Sequence, residues 1–161
     1  MANEQSFCVQ ALADMMNGKH ALAASVARAD TGGGAAAKDT YYGALYYTSA
    51  SRGRTDTVYN STGEVTTSGS NYTAGGNILT TATAPSTSGN TAFWTPSASL
   101  VFTTLTATDF NCLLIYNFTS STKLALSVHT FGNQSVTAGN FTLSMPVNDA
   151  TTGLIRFSVP V

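Results

Sequence analysis

Charge is what this chain has least of. Only 9% of its 161 residues are Asp, Glu, Lys or Arg, seven cations against eight anions. Roughly a quarter is usual for a soluble domain. The cations are scattered from Lys19 to Arg156 and form no basic stripe, so no binding to nucleic acid by phosphate neutralisation is expected. Long apolar runs are missing too. None reaches the ~18–20 residues of a membrane helix, so no membrane partner is expected. The opening MANEQSFC has neither a basic nor an apolar signal region, so no secretory signal is expected.

Groups for chemistry are equally sparse. Cys8 and Cys112 are the two cysteines. Neither sits in a C-x-x-C or a Cys/His cluster, which leaves no zinc or redox motif. They read as buried thiols of a reducing cytosol. The two histidines are His20, after a helix stop, and His129, on a strand face that reads as solvent-facing. There is no G-x-S-x-G and no G-x-x-x-x-G-K-[ST]. The acids fall mostly in turns or near the amino terminus, and no two share a strand face at working spacing. No catalytic residue, cofactor or metal is expected, and the chain does not read as an enzyme.

What replaces the charge is Thr, Ser, Asn and Gly. Thr and Ser alone make up roughly a quarter of the chain, while 43% is hydrophobic and mean hydropathy is +0.05. That balance is wrong for ordinary disorder, which pairs low hydrophobicity with high charge. It suits a globular core. A sparsely charged surface is poorly protected against association, so the chain reads as one that works inside an assembly.

Three zones follow one another. Residues 3–17 read as an amphipathic helix with Asn3 as N-cap. Its apolar stripe is Cys8, Ala11, Leu12, Met15 and Met16, widened by Phe7, and Asn17-Gly18 stops it. Residues 19–38 are Ala- and Gly-rich, and Thr31-Gly32-Gly33-Gly34 has the composition of a hinge. The chain thus divides into an arm and hinge, 1–38, and a β-body, 39–161. In the body, strands are predicted at 41–48, 55–59, 78–83, 98–105, 109–118 and 123–131, with further alternation at Phe141, Leu143, Met145 and at Ile155, Phe157, Val159. Leu113 and Ile115 make segment 109–118 apolar on both faces, as in a central strand. Residues 119–122 read as a hairpin loop and Ala138-Gly139 as a turn. Short strands separated by Gly, Ser and Asn turns predict an all-β fold, a β-sandwich or jelly-roll-like antiparallel body with a short amino-terminal helix. Sequons at Asn60, Asn71, Asn117, Asn133 and Asn140 are what an Asn/Thr-rich composition supplies. Tyr41, Tyr42, Tyr46 and Tyr47 offer either a carbohydrate platform or a strand whose rings pack and rim an interface.

An ordered set of short motifs runs through the body. It comprises Ala44-Leu45-Tyr46-Tyr47-Thr48-Ser49-Ala50, Val58-Tyr59-Asn60-Ser61-Thr62-Gly63-Glu64-Val65 and Tyr72-Thr73-Ala74-Gly75-Gly76. Leu114-Ile115-Tyr116-Asn117, the segment 136–143 and Leu154-Ile155-Arg156 follow. This order resembles small virion structural proteins of tailed bacteriophages, in which a short helix precedes a β-body with Y-x-x-x-G-E-V and Y-x-A-G-G patterns. The similarity covers about residues 41–156, and the stretch 21–37 stands outside it like an insertion. The resemblance implies a virion component without catalysis, assembled in a bacterial cytoplasm. The expected role is a capsid decoration or cement protein, a homo-oligomer (a trimer is the expectation) bound to the major capsid protein or another virion protein. A tail, neck or fibre-attachment protein and a carbohydrate- or receptor-binding module are the alternatives. The expected partner interface is Phe7, Leu12, Met15 and Met16 on the helix, with Tyr41 and Tyr46 on the first body strand.

Overall fold

Period-two alternation does produce strands here, and among the described residues they assemble into two antiparallel sheets with one short helix. The computed structural model describes residues 2–23 and 38–160. The larger sheet has the order β1-β7-β6-β2-β3 and the smaller one β4-β5-β8. In chain order the elements are β1 (Ser6–Phe7), α1 (Val9–Met16), β2 (Tyr41–Tyr47), β3 (Asn77–Ile78), β4 (Ser86–Ser88), β5 (Thr91–Trp94), β6 (Leu100–Asn117), β7 (Ala125–Leu143) and β8 (Ile155–Ser158).

β6 is the central strand, paired with β2 on one side and β7 on the other. Residues 112–117 are all buried, as apolarity on both faces requires. The face carrying Tyr41, Gly43 and Leu45 meets the smaller sheet. There Tyr41 lies 6.0 Å from Trp94, and Phe7 meets Phe157 edge-on at 4.9 Å. Residues 48–76 form a folded-back loop over the opposite face, where Tyr59 stacks on Tyr116 at 4.6 Å.

Four predicted strands are in fact two. Segments 98–105 and 109–118 merge into β6, of 18 residues, and 123–131 merges with the Phe141 segment into β7, of 19. What reads as punctuation is absorbed by bulges. Thr104, Asp109 and Ala138 take positive φ of 53°, 59° and 47°, at the register shifts between the two strands. Each admits an extra residue without ending the ladder. The turn expected at Ala138-Gly139 is such a bulge. Asp109 is held in place by Thr48 Oγ1 and Asn133 Nδ2, which donate to its carboxylate at 2.9 and 2.8 Å. By contrast, 55–59 makes only the isolated bridge Val58↔Leu124, and 78–83 contributes only Ile78 to a strand.

The amino-terminal segment also departs from expectation. Asn3 caps no helix. Its amide donates to the Tyr47 carbonyl and to Asn111 Oδ1 at 2.9 and 2.7 Å, and its Oδ1 accepts from the Arg52 N–H at 2.8 Å. Those tertiary bonds recruit the first residues into strand β1, paired with β7 as Ser6↔Val128 and Phe7↔Ser127. The helix therefore starts at Val9, with Cys8 in the N-cap position and no side-chain cap bond. Cys8 and Ala11 are fully buried in the core, so residues 2–23 are built into the body and do not project from it as an arm. The hinge composition at 31–37 lies outside the described residues.

Candidate interaction surface

Four of the six motifs, 44–50, 58–65, 72–76 and 114–117, meet in space around Glu64. Tyr59 Oη donates to Glu64 Oε2 at 2.6 Å, while Tyr72 Oη and the Gly75 N–H donate to Oε1 at 2.8 and 2.7 Å. Tyr72 Oη in turn accepts from the Leu45 N–H at 2.9 Å. Tyr116 Oη donates to the Gly75 carbonyl at 2.9 Å, and Tyr46 Oη to the Asn60 carbonyl at 2.7 Å. The carboxylate thus gathers three points of the loop 48–76, and two of them carry the bonds to the strands, Tyr72 to Leu45 of β2 and Gly75 to Tyr116 of β6. Charge-assisted bonds of this kind are roughly twice as strong as neutral ones. Burial, reinforced by the Glu64 carboxylate, pushes the Tyr46, Tyr59, Tyr72 and Tyr116 phenols well above the usual tyrosine range. They stay protonated and act as donors. Beside the cluster Arg52 lies over the Tyr46 ring at 5.0 Å and pairs with Asp56 at 3.1 Å.

Tyr41 and Tyr46, expected at an interface, are both fully buried. Tyr41 packs between the sheets and Tyr46 beneath the loop, so neither is available to a partner or a glycan. The more exposed rings are used among themselves. Tyr42 stacks on Phe118 at 4.4 Å, and Lys123 Nζ lies over the Phe118 and Tyr59 rings at 5.0 and 5.5 Å.

The helix residues divide. Its buried side is Cys8, Ala11 and Asp14. Asp14 accepts from Gln10 Nε2 at 3.1 Å and pairs with Lys19 at 3.3 Å. Small residues bring the helix close to β7, which turns the larger ones outward. Leu12 is 43% and Met16 84% exposed. Met15 is half-buried and borders an apolar groove of about 320 Å³, whose other walls include Leu22, Ala92, Phe93, Trp94 and Phe157. No Asp, Glu, Lys or Arg lines this groove. Leu12 and Met16 therefore remain candidates for a contact surface, with Met15 at the rim of the groove and the half-buried Phe7 packed edge-on against Phe157 of the smaller sheet.

A second cleft, of about 420 Å³, opens where β1 and β7 face β8, with Ser6, Phe7, Ser127, His129 and Ile155 among its walls. His129, which reads as solvent-facing from the sequence, is half-buried here, and its Nε2 lies 2.9 Å from Ser127 Oγ. A nucleophile needs a positioned base of adequate strength. Burial pushes this imidazole down to about 4, Ser127 is buried, and among the described residues no carboxylate is hydrogen-bonded to the ring. The pair is a buried hydrogen bond with poor credentials as a nucleophile and base. It does give the fold a pH response. The folded-state value lies below the 6.5 of a free imidazole, so the unfolded chain binds more protons between about pH 6.5 and 4. Stability from this group is complete above pH 6.5 and falls as pH drops towards 4, by at most about 3 kcal/mol. Denaturant titrations across that window are expected to show the decline, and His129→Gln is expected to flatten it.

Cys8 and Cys112 are free and buried, and burial pushes both thiols up to about 12. Among the described residues no group of His, Cys, Asp and Glu is placed to hold a metal ion, and no helix is long and apolar enough to cross a membrane. No protein-family model, no curated protein and no solved structure matches this chain.

Proposed function

We propose that this chain is a structural component of the virion of a tailed bacteriophage, and specifically a head decoration or cement protein bound to the major capsid protein. The observation that carries the reading is the Glu64 cluster. The motifs of the resemblance, Y-x-x-x-G-E-V and Y-x-A-G-G, supply its Tyr59, Glu64, Tyr72 and Gly75. They therefore encode one architectural unit of this chain, which supports reading the ordered motifs together and not as separate chance matches. The exposed Leu12 and Met16 beside an uncharged groove fit a chain that works by contact, because an apolar patch can be covered by a neighbour with no charge to desolvate.

The test is location and occupancy. Labelled copies are expected over the whole head shell of intact particles. Confinement to the tail or to one vertex would favour the neck or tail reading instead. The double variant Leu12→Ser, Met16→Ser alters exposed side chains only. It is expected to keep the wild-type melting temperature within a few degrees and to bind particles at least about tenfold more weakly, as loss of a hot spot does. Undiminished occupancy would remove this face from the interface.

A further inference from the structure

Sheet edges invite pairing with other chains, and proteins guard them with charge, proline, bulges or brevity. Most free edges in this fold are guarded. β1 and β3 are two residues long, and the Glu4–Arg54 ion pair at 3.9 Å lies beside β1. β4 follows directly on Pro85, and β8 carries Arg156. The exception is β7. On one side it pairs with β6; on the other it pairs with β1 alone, at Ser127 and Val128. From His129 to Leu143 that outer side has no strand partner among the described residues, and no backbone bond from outside the hairpin reaches it. Yet the 19 residues of β7 contain no Asp, Glu, Lys, Arg or Pro. Bulges interrupt the stretch 130–139, whereas residues 141–143 lie in regular register with Phe102, Val101 and Leu100, and at the shift between Gly139 and Phe141 the extra residue, Thr104, is on β6 and not on β7.

We infer that the outer edge of β7 at residues 139–143 pairs antiparallel with the same edge of a second copy, about a two-fold axis at Phe141. An antiparallel pair about a two-fold is self-complementary, each strand meeting its own sequence reversed. This strand suits itself. Being neutral, it brings no like charges together, a clash that penalises self-pairing elsewhere. The axis sets Phe141 opposite its counterpart on the inner face, and Thr142 opposite Asn140 on the outer face, where both are exposed. Asn140 Oδ1 accepts from the Thr104 N–H at 3.1 Å, which leaves its amide NH2 to donate to Thr142 across the seam. The five-stranded sheet then continues from one copy into the next. The inference does not depend on the virion reading, since it concerns the isolated protein.

Thr142 is the place to test it, because its side chain is exposed and forms no bond within the fold that a lysine would break. Light scattering of the purified full chain at about 100 μM is expected to give the mass of a dimer. Thr142→Lys and Thr142→Glu each place like charges near the axis, on one face and about 7–8 Å apart. Each variant is expected to be monomeric, with dimerisation weakened at least tenfold and the circular dichroism melt unchanged. An equimolar mixture of the two is expected to restore the dimer by pairing Lys with Glu. A wild-type monomer or trimer, a Thr142→Lys dimer of wild-type strength, or a mixture that stays monomeric would each overturn the pairing.

Discussion

Gly76→Ala is expected to abolish folding. Gly76 has φ of +77°, a conformation that an L-residue adopts only at a cost, and a Cβ built there would overlap the Gly43 carbonyl oxygen and lie 2.7 Å from Ala44 Cα. Both obstacles are backbone of β2, the strand that pairs with central β6, so they cannot turn aside as a side chain would. The left-handed conformation alone costs an alanine about 1 kcal/mol, and the overlap demands that the loop withdraw from β2. Withdrawal would carry Gly75 off Glu64 and off Tyr116. A loss of more than about 4 kcal/mol is the size expected of such combined backbone effects, a large part of the total stability of a domain. The measurement is soluble yield followed by a thermal melt. A soluble variant melting within a few degrees of wild type would show that the loop does not need its close approach to β2.

Glu64→Ala is expected to be the most damaging substitution of a charged residue. It strands three donors, the Tyr59 and Tyr72 hydroxyls and the Gly75 N–H. An unpaired buried polar group costs about 1–3 kcal/mol, and the hydroxyls can recover part of that by rotating. A net loss of about 3–5 kcal/mol, or roughly 10–15 °C in Tm at this chain length, is the expected outcome. Glu64→Gln keeps one acceptor oxygen for Tyr72 and Gly75, so it is expected to lose less than half as much. Equal losses for the two variants would mean that the negative charge, and not the count of acceptors, holds the loop.

The strands were legible in the residues because alternation is a local signal. The apolar run through Leu113 and Ile115 marked the central strand. Their continuity was not legible, since Asp109 and Ala138-Gly139 carry the composition of a turn, and only the opposing strand decides that they are bulges. The helix misled for a related reason. Asn3 is a good cap by type, but its side chain is spent on Tyr47, Arg52 and Asn111, partners as far as 108 residues away. At the candidate surface, helical periodicity put Cys8, Ala11, Leu12, Met15 and Met16 on one stripe without saying which of them meet the body and which a partner. Packing through Cys8 and Ala11 rotated Leu12 and Met16 outward, because small residues permit a closer approach than large ones. Tyr41 and Tyr46 could not be placed from the sequence, where a tyrosine in a core and one at an interface look alike. Glu64 read as one more acid in a turn. Its two tyrosine partners, five and eight residues away, form no recognised acid–base spacing, although their recurrence in the quoted motifs was the available clue.

The pairing Ser6↔Val128 also has a consequence in time. Synthesis runs from the amino terminus, so β1 leaves the ribosome more than a hundred residues ahead of the strand it pairs with. Cys8, whose N–H donates to the Leu126 carbonyl at 3.1 Å, cannot complete its bonding until β7 has emerged. The β6–β7 hairpin, whose halves are neighbours in sequence, can form as soon as both have been made. Ser6 and Phe7 are then fastened onto a sheet begun by a hairpin far along the chain, and a prematurely terminated chain lacking β7 has no partner strand on which to seat them.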